Sequence, residues 1–160
     1  EGMVYTQCDY RYPTEYPVAT INNYGKGKIA AFFMDMSVAY NQYRNPVFNN
    51  LIRNVISALI PDPQVKVTGS DNVHVVLGKK NRRAYLHLIN SSGDHFNKNV
   101  MAYNELLSTG SLKITYKTTT KPLSVKLQPT GEQINFTYAG NRIEFVVPPV
   151  SVHSIVEIAL

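Results

Sequence analysis

Residues 29–34 run Ile-Ala-Ala-Phe-Phe-Met without one polar side chain, whereas the later apolar runs of the chain alternate with polar residues. Successive side chains of a β-strand point to opposite faces, so an unbroken apolar run describes a strand covered on both sides. Such a strand needs neighbours in its own sheet and a packed layer above and below it. Residues 1–62 offer only one further good strand and one helix toward that requirement. The chain is therefore expected to be the carboxy-terminal portion of something larger.

Composition narrows the class. With 44% hydrophobic and 17% charged residues the chain can build a real core, and eleven Tyr, six Phe and no Trp favour a pleated, β-rich packing. The net charge of +5 permits attraction to phosphates, but the densest cluster, Lys79-Lys80-Asn81-Arg82-Arg83, lies between two strand-like runs and reads as a solvated hairpin turn. No nucleic-acid module accompanies it, and no run approaches the roughly 20 apolar residues of a membrane span, so neither nucleic acid nor membrane is an expected partner. The lone cysteine, Cys8, excludes an intrachain disulfide framework and a cysteine-based zinc site. The chain begins at Glu1 without an initiator Met or a signal peptide, which is read as a property of a fragment and leaves the compartment open. Two glycosylation sequons, at Asn90-Ser91-Ser92 and Asn135-Phe136-Thr137, are of a kind that arises by chance and carry no weight.

Along the chain, residues 1–15 show no period and read as an extended arm. A strand over 17–21 and a second over 29–34 are joined by Asn22-Asn23-Tyr24-Gly25-Lys26-Gly27-Lys28, rich in residues that tolerate positive φ. A polar loop through Tyr40, Gln42, Tyr43 and Arg44 is expected next, then a helix opening at Asn45-Pro46. Phe48, Leu51, Ile52, Val55, Ile56 and Leu59 give that helix one apolar face, and Pro61-Asp62-Pro63 stops it. From Val65 onward short alternating strands are expected at 73–77, 84–89, 112–116, 123–127, 134–138, 143–147 and 152–158, with hairpin turns at Thr130-Gly131 and Gly140-Asn141. Residues 91–111 are irregular apart from one helical turn near 103–107. The fold class is mainly β, an antiparallel β-sandwich preceded by a partial α/β unit of two strands and one helix.

The string from Pro17 through Tyr24-Gly25-Lys26-Gly27 to Ala30, followed by Asn45-Pro46 and an apolar helix, resembles the end of the glutamine-amidotransferase-like domain of bacterial glycoside hydrolases, the trimerisation domain of beta-galactosidases. The later segments Ala84-Tyr85-Leu86-His87-Leu88-Ile89-Asn90 and Gly110-Ser111-Leu112-Lys113-Ile114, with the ending through Val147-Pro148-Pro149, resemble the small β-sandwich that closes such enzymes and some alpha-L-fucosidase-like relatives. The resemblance covers nearly the whole chain and implies residues 1–62 as the terminal part of an amidotransferase-like domain and 63–160 as the closing sandwich. It implies a polysaccharide-acting parent whose two-carboxylate chemistry lies in an upstream barrel, so no catalytic residue carries over. The implied partners are the parent's missing amino-terminal domains, with a homo-oligomer and carbohydrate as further candidates, in an extracytoplasmic setting.

The eleven acidic residues offer no paired carboxylates, and no cofactor or metal site is expected from four scattered histidines. His74 and His87 are expected to be able to meet across the hairpin turned at 79–83, a cross-strand pair without a third ligand. Asp35 follows the apolar strand at the end where α/β sheets place ligand loops, with Tyr40, Tyr43 and Arg44 behind it. The plain alternative is that Asp35 caps a turn while the tyrosines pack against the helix. Sugars stack on exposed aromatics, so a carbohydrate-binding set of Asp35, Tyr40, Tyr43, Arg44, His95 and Phe96 is the other candidate function.

Overall fold

The computed structural model describes residues 15–43, 45–93 and 105–160, the side chains at 39 and 41–43 excepted. The chain divides into two compact units at Asp62 and Pro63, between the prolines that follow the last helix.

The first unit opens with an antiparallel hairpin, β1 (Ala19–Tyr24) and β2 (Gly27–Phe32), which forms a two-stranded sheet of its own. Its turn is only Gly25 and Lys26, and Gly25 takes a φ of +57°, the left-handed conformation that glycine adopts without a Cβ penalty. The strands therefore extend into most of the segment expected to be turn. Helix α1 (Met36–Tyr43) occupies the stretch expected to be a polar loop. Its sequence, Met-Ser-Val-Ala-Tyr-Asn-Gln-Tyr, has no clean apolar stripe, so it hid from a periodicity search, but it contains no Pro or Gly and Asp35 starts it. Helix α2 (Pro46–Leu59) begins as expected: the Asn45 side chain accepts from Val47 N at 2.9 Å, and Pro46 fills the first turn. Val55 is its buried residue, and Ile56, placed on the apolar face by spacing, is instead 52% exposed.

Residues paired across the hairpin share a face. On one face Ala19, Ala30 and Phe32 are half-buried and α2 packs on β2, with Lys28 Nζ reaching Ala58 O at 3.4 Å. The other face carries Val18, Tyr24, Ile29 and Phe33, of which Ile29 is 58% and Phe33 64% exposed. The expectation that residues 29–34 are covered on both sides is thus corrected to one side among the described residues.

The second unit is a sandwich of two antiparallel sheets. One holds β3 (Val65–Thr68), β6 (Leu112–Lys117), β10 (Arg142–Val147) and β9 (Phe136–Ala139) in that order. The other runs β4 (Val73–Lys80), β5 (Arg83–Asn90), β11 (His153–Ala159), β7 (Ser124–Gln128) and β8 (Glu132–Gln133). Alternation fills the space between them: Ala84, Leu86 and Leu88 from β5, Leu112, Ile114 and Tyr116 from β6, Ile143, Phe145 and Val147 from β10, and Val156 and Ile158 from β11. Each is almost fully buried, at roughly 1.5–3 kcal/mol of transfer free energy for a large aliphatic or aromatic side chain.

The β4–β5 turn is Asn81-Arg82 with φ of 49° and 60°, and the β9–β10 turn is Gly140-Asn141 with φ of 56° and 60°, two positive residues as the right-handed strand twist prefers. Two strand expectations need correction. Leu123 lies outside β7 and is 84% exposed, so it does not join Val125 in the core. The expected strand over 134–138 is broken: β8 pairs in the five-stranded sheet, Ile134 N donates to Val125 O at 2.8 Å, and β9 belongs to the opposite sheet. Residues 105–107 carry no helical turn, and 103–104 lie outside the described residues.

Candidate functional site

The candidate residues fall in different situations. Asp35 caps α1: its Oδ1 accepts from Val38 N at 3.2 Å and from Ser37 Oγ at 3.0 Å. Tyr40 is half-buried on α1 and Tyr43 is the last residue of that helix, so both leave the loop in which they were expected. Arg44, His95 and Phe96 lie outside the described residues.

Two carboxylates of the sandwich are committed to cations. Glu157, buried on β11, receives Arg83 Nη1 at 2.6 Å on Oε1 and Gln128 Nε2 at 3.0 Å on Oε2. Glu144 on β10 pairs with Lys113 at 2.9 Å across the ladder, and the Lys113 hydrogen bond and charge hold its carboxyl below the usual carboxylate range. Glu157 is buried against Arg83, whereas Glu144 and Lys113 are both open to solvent, and the two carboxylates stand on strands of different sheets.

The histidines assemble differently from the expectation. The β4–β5 register sets Val76 opposite His87 and His74 opposite Ile89, so the hairpin does not face the two histidines. His87 instead meets His153 on β11, Nδ1 to Nε2 at 3.1 Å with ring planes 12° apart, one N–H donating to the other ring nitrogen. Among the described residues no three of His, Cys, Asp and Glu gather as metal ligands.

Asn90, the first residue of one sequon, is a structural hub. Its Nδ2 donates to Leu107 O at 2.8 Å, Ser151 O at 2.7 Å and Val150 O at 3.2 Å, while Oδ1 accepts from Ser92 N and Ser92 Oγ. The buried amide ties two neighbouring irregular segments, at 107 and at 150–151, to the end of β5. Thr109 adds a reciprocal clasp: its N donates to Val150 O at 3.0 Å and its Oγ1 accepts from Val150 N at 2.9 Å.

Grooves open on the sandwich among the described residues. One of about 470 Å³ lies by Gln64, Lys79, Lys117 and Thr118–120, where Gln64 Nε2 donates to Lys117 O. The larger, about 600 Å³, is lined by Lys113, Asn135, Phe136, Glu144, Val146 and Pro148 among others. It forms where the chain changes sheets at Ile134. Sequence alternation could not find it, because Ile134, Phe136 and Tyr138 keep one strand-like period straight through the crossing. The diproline at 148–149 was the only visible signal, marking where β10 must end.

No family model and no curated protein matches the sequence. The fold is similar to part of alpha-L-fucosidase isoenzyme 2 from Paenibacillus thiaminolyticus, with a TM-score of 0.70 over 87% of this chain and 17% sequence identity. The chain spans 21% of that fucosidase, so what the two share is an architecture occupying about a fifth of the larger protein.

Proposed function

We propose that the chain is a non-catalytic accessory region of a glycoside hydrolase, residues 1–62 ending an amidotransferase-like α/β domain and 63–160 forming the closing sandwich. The observation that carries the reading is the uncovered face of β1–β2, with Val18, Tyr24, Ile29 and Phe33 exposed on a ribbon of two strands. A two-stranded sheet is marginal in water, and clustered exposed apolar side chains mark an interaction face. The fold shared with a fifth of a fucosidase supports a place beside a separate catalytic portion. Preceding domains of the same polypeptide are the proposed cover, and self-association is the competing one.

The test uses the purified chain. It turns over no aryl glycoside, aryl α-L-fucosides included, and binds a hydrophobic dye that Ile29→Glu and Phe33→Glu displace without altering the sandwich's melting. Turnover overturns the accessory role. Dye binding that ignores both substitutions overturns the docking face, and a light-scattering mass that drops to monomer in the same variants assigns the face to self-association.

A further inference from the structure

We infer that His87 and His153 form a two-imidazole site for a divalent transition-metal ion on the outer face of the five-stranded sheet. Alternation puts them there. Ala84, Leu86 and Leu88 of β5 and Val156 and Ile158 of β11 fill the core, so His87, Ile89, His153 and Ile155 take the opposite face. Val73 and Leu77 of β4 also pack against the core, which sets His74 and Val76 on that outer face too. Spacing then decides which histidines meet. The two-residue β4–β5 hairpin makes Lys80 and Arg83 a hydrogen-bonded pair, and by alternation His74 opposite Ile89 and Val76 opposite His87 are hydrogen-bonded, widely spaced pairs. Between β5 and β11, Asn90 N donates to Val152 O and Leu160 N to Arg82 O. Ile89 opposite His153 and His87 opposite Ile155 are therefore pairs of the other kind, whose side chains stand closer. His87 reaches diagonally across that closer ladder to His153.

The two rings hold their nitrogens at a chelating separation. His87 Nδ1 and His153 Nε2 are 3.1 Å apart and the ring centroids 5.3 Å apart, so the nitrogens lie between the rings. A zinc ion holds each imidazole nitrogen at about 2.0–2.1 Å, which sets two of them about 2.8–3.4 Å apart for right-angled to tetrahedral coordination. The pair as it stands shares one proton, one ring donating and the other accepting. Moving that proton to the donor ring's far nitrogen frees both lone pairs, and a small swing of each ring aims them at one ion with no proton lost. Both side chains reach solvent, His153 exposed and His87 half-buried, so water completes the coordination. Donor type selects the ion. Imidazole suits zinc, copper and nickel, whereas magnesium and calcium take oxygen ligands. Glu157, a carboxylate on the same face, is held by Arg83 and Gln128 and stays out of the shell. With one nitrogen from each of two adjacent strands, the bound ion crosslinks β5 to β11.

The test is a calorimetric titration of the 160-residue chain with copper(II), nickel and zinc salts, with magnesium as the oxygen-seeking control and NMR of the histidine rings to locate the ion. Saturable binding is expected at His87 and His153, tightest for copper as in the general order of first-row dications. The melting temperature is expected to rise with nickel or zinc concentration, because the folded chain alone holds the two rings together. His87→Ala and His153→Ala are each expected to weaken binding by at least about tenfold, since the second nitrogen then adds no intramolecular contact. His153 is exposed, so its variant reports on the ion without disturbing the core. His74→Ala is expected to leave binding unchanged. The site is overturned if no ion saturates below millimolar concentration, if binding ignores both substitutions in the pair or follows His74 instead, or if magnesium binds as tightly. Those results leave the accessory reading standing, because that reading depends on the hairpin face and on turnover.

Discussion

Asn90 shows how much one amide can hold. Truncation to alanine removes the donor shared by the carbonyls of Leu107, Val150 and Ser151 and leaves groups in and around the core without a partner. Asn90→Ala is expected to cost about 2–3 kcal/mol, read as a lowered denaturant midpoint with unchanged slope. Asn90→Gln, one methylene too long for the same three acceptors, is expected not to restore it. A second residue-scale prediction concerns Glu144, whose carboxyl Lys113 holds below its ordinary range. A carboxylate depressed in the folded state stabilises above its unfolded value, and the contribution is lost as pH falls through the lower folded one. Solvent exposure on both sides keeps that contribution small. Lys113→Met is expected to return the Glu144 titration, followed by carboxyl NMR, to the usual range, and an unmoved midpoint refutes the ion pair. Neither role was legible in advance. The Asn90 sequon carried no weight, and nothing local in Asn-Ser-Ser announces three acceptors, two of them about 60 residues away.

At the scale of elements, the strands were the legible part. Leu112, Ile114 and Tyr116 alternate with Lys113, Thr115 and Lys117 and do so in the structure, because one face packs and the other meets water. Helix α2 was legible from Asn45-Pro46 and its apolar spacing. Helix α1 was not, since its short sequence lacks a stripe, and Tyr40 and Tyr43 stand on a helix where a loop was expected. The change of sheet at Ile134 was invisible because period encodes which face a residue takes and not which sheet its strand joins. Turns carry their own prediction. Arg82 holds a φ of 60° in the β4–β5 hairpin, a conformation a side chain resists, and Asn-Gly is the preferred sequence for such a turn. Arg82→Gly is expected to raise stability by about 0.5–1 kcal/mol, seen as a higher melting temperature. A lower one would mean that the arginine side chain contributes more than its backbone strain costs.

At the scale of the molecule, the two units differ in what they bury. The sandwich closes fourteen buried residues into one core cluster, whereas Met36 and Val55 are the buried hydrophobic residues described in the first unit. Local stability follows buried contact, so amides of β1, β2 and α2 are expected to exchange hydrogen well before those of β5, β6, β10 and β11. Equal protection in both units would show that the hairpin and helices are stabilised by something other than this core. The whole-molecule reading from sequence began with residues 29–34; an apolar strand lies there, and among the described residues one of its faces is covered and the other exposed. Apolar content states a demand for burial; only neighbours decide whether it is met.

The short link at Ile134 and Asn135, running from β8 in one sheet to β9 in the other, acts as a stitch through the layers. Tension drawing the layers apart there loads covalent backbone before it loads side-chain contacts. Peeling one layer away would have to drag the other with it, which favours rupture of the sandwich as one event over stepwise delamination.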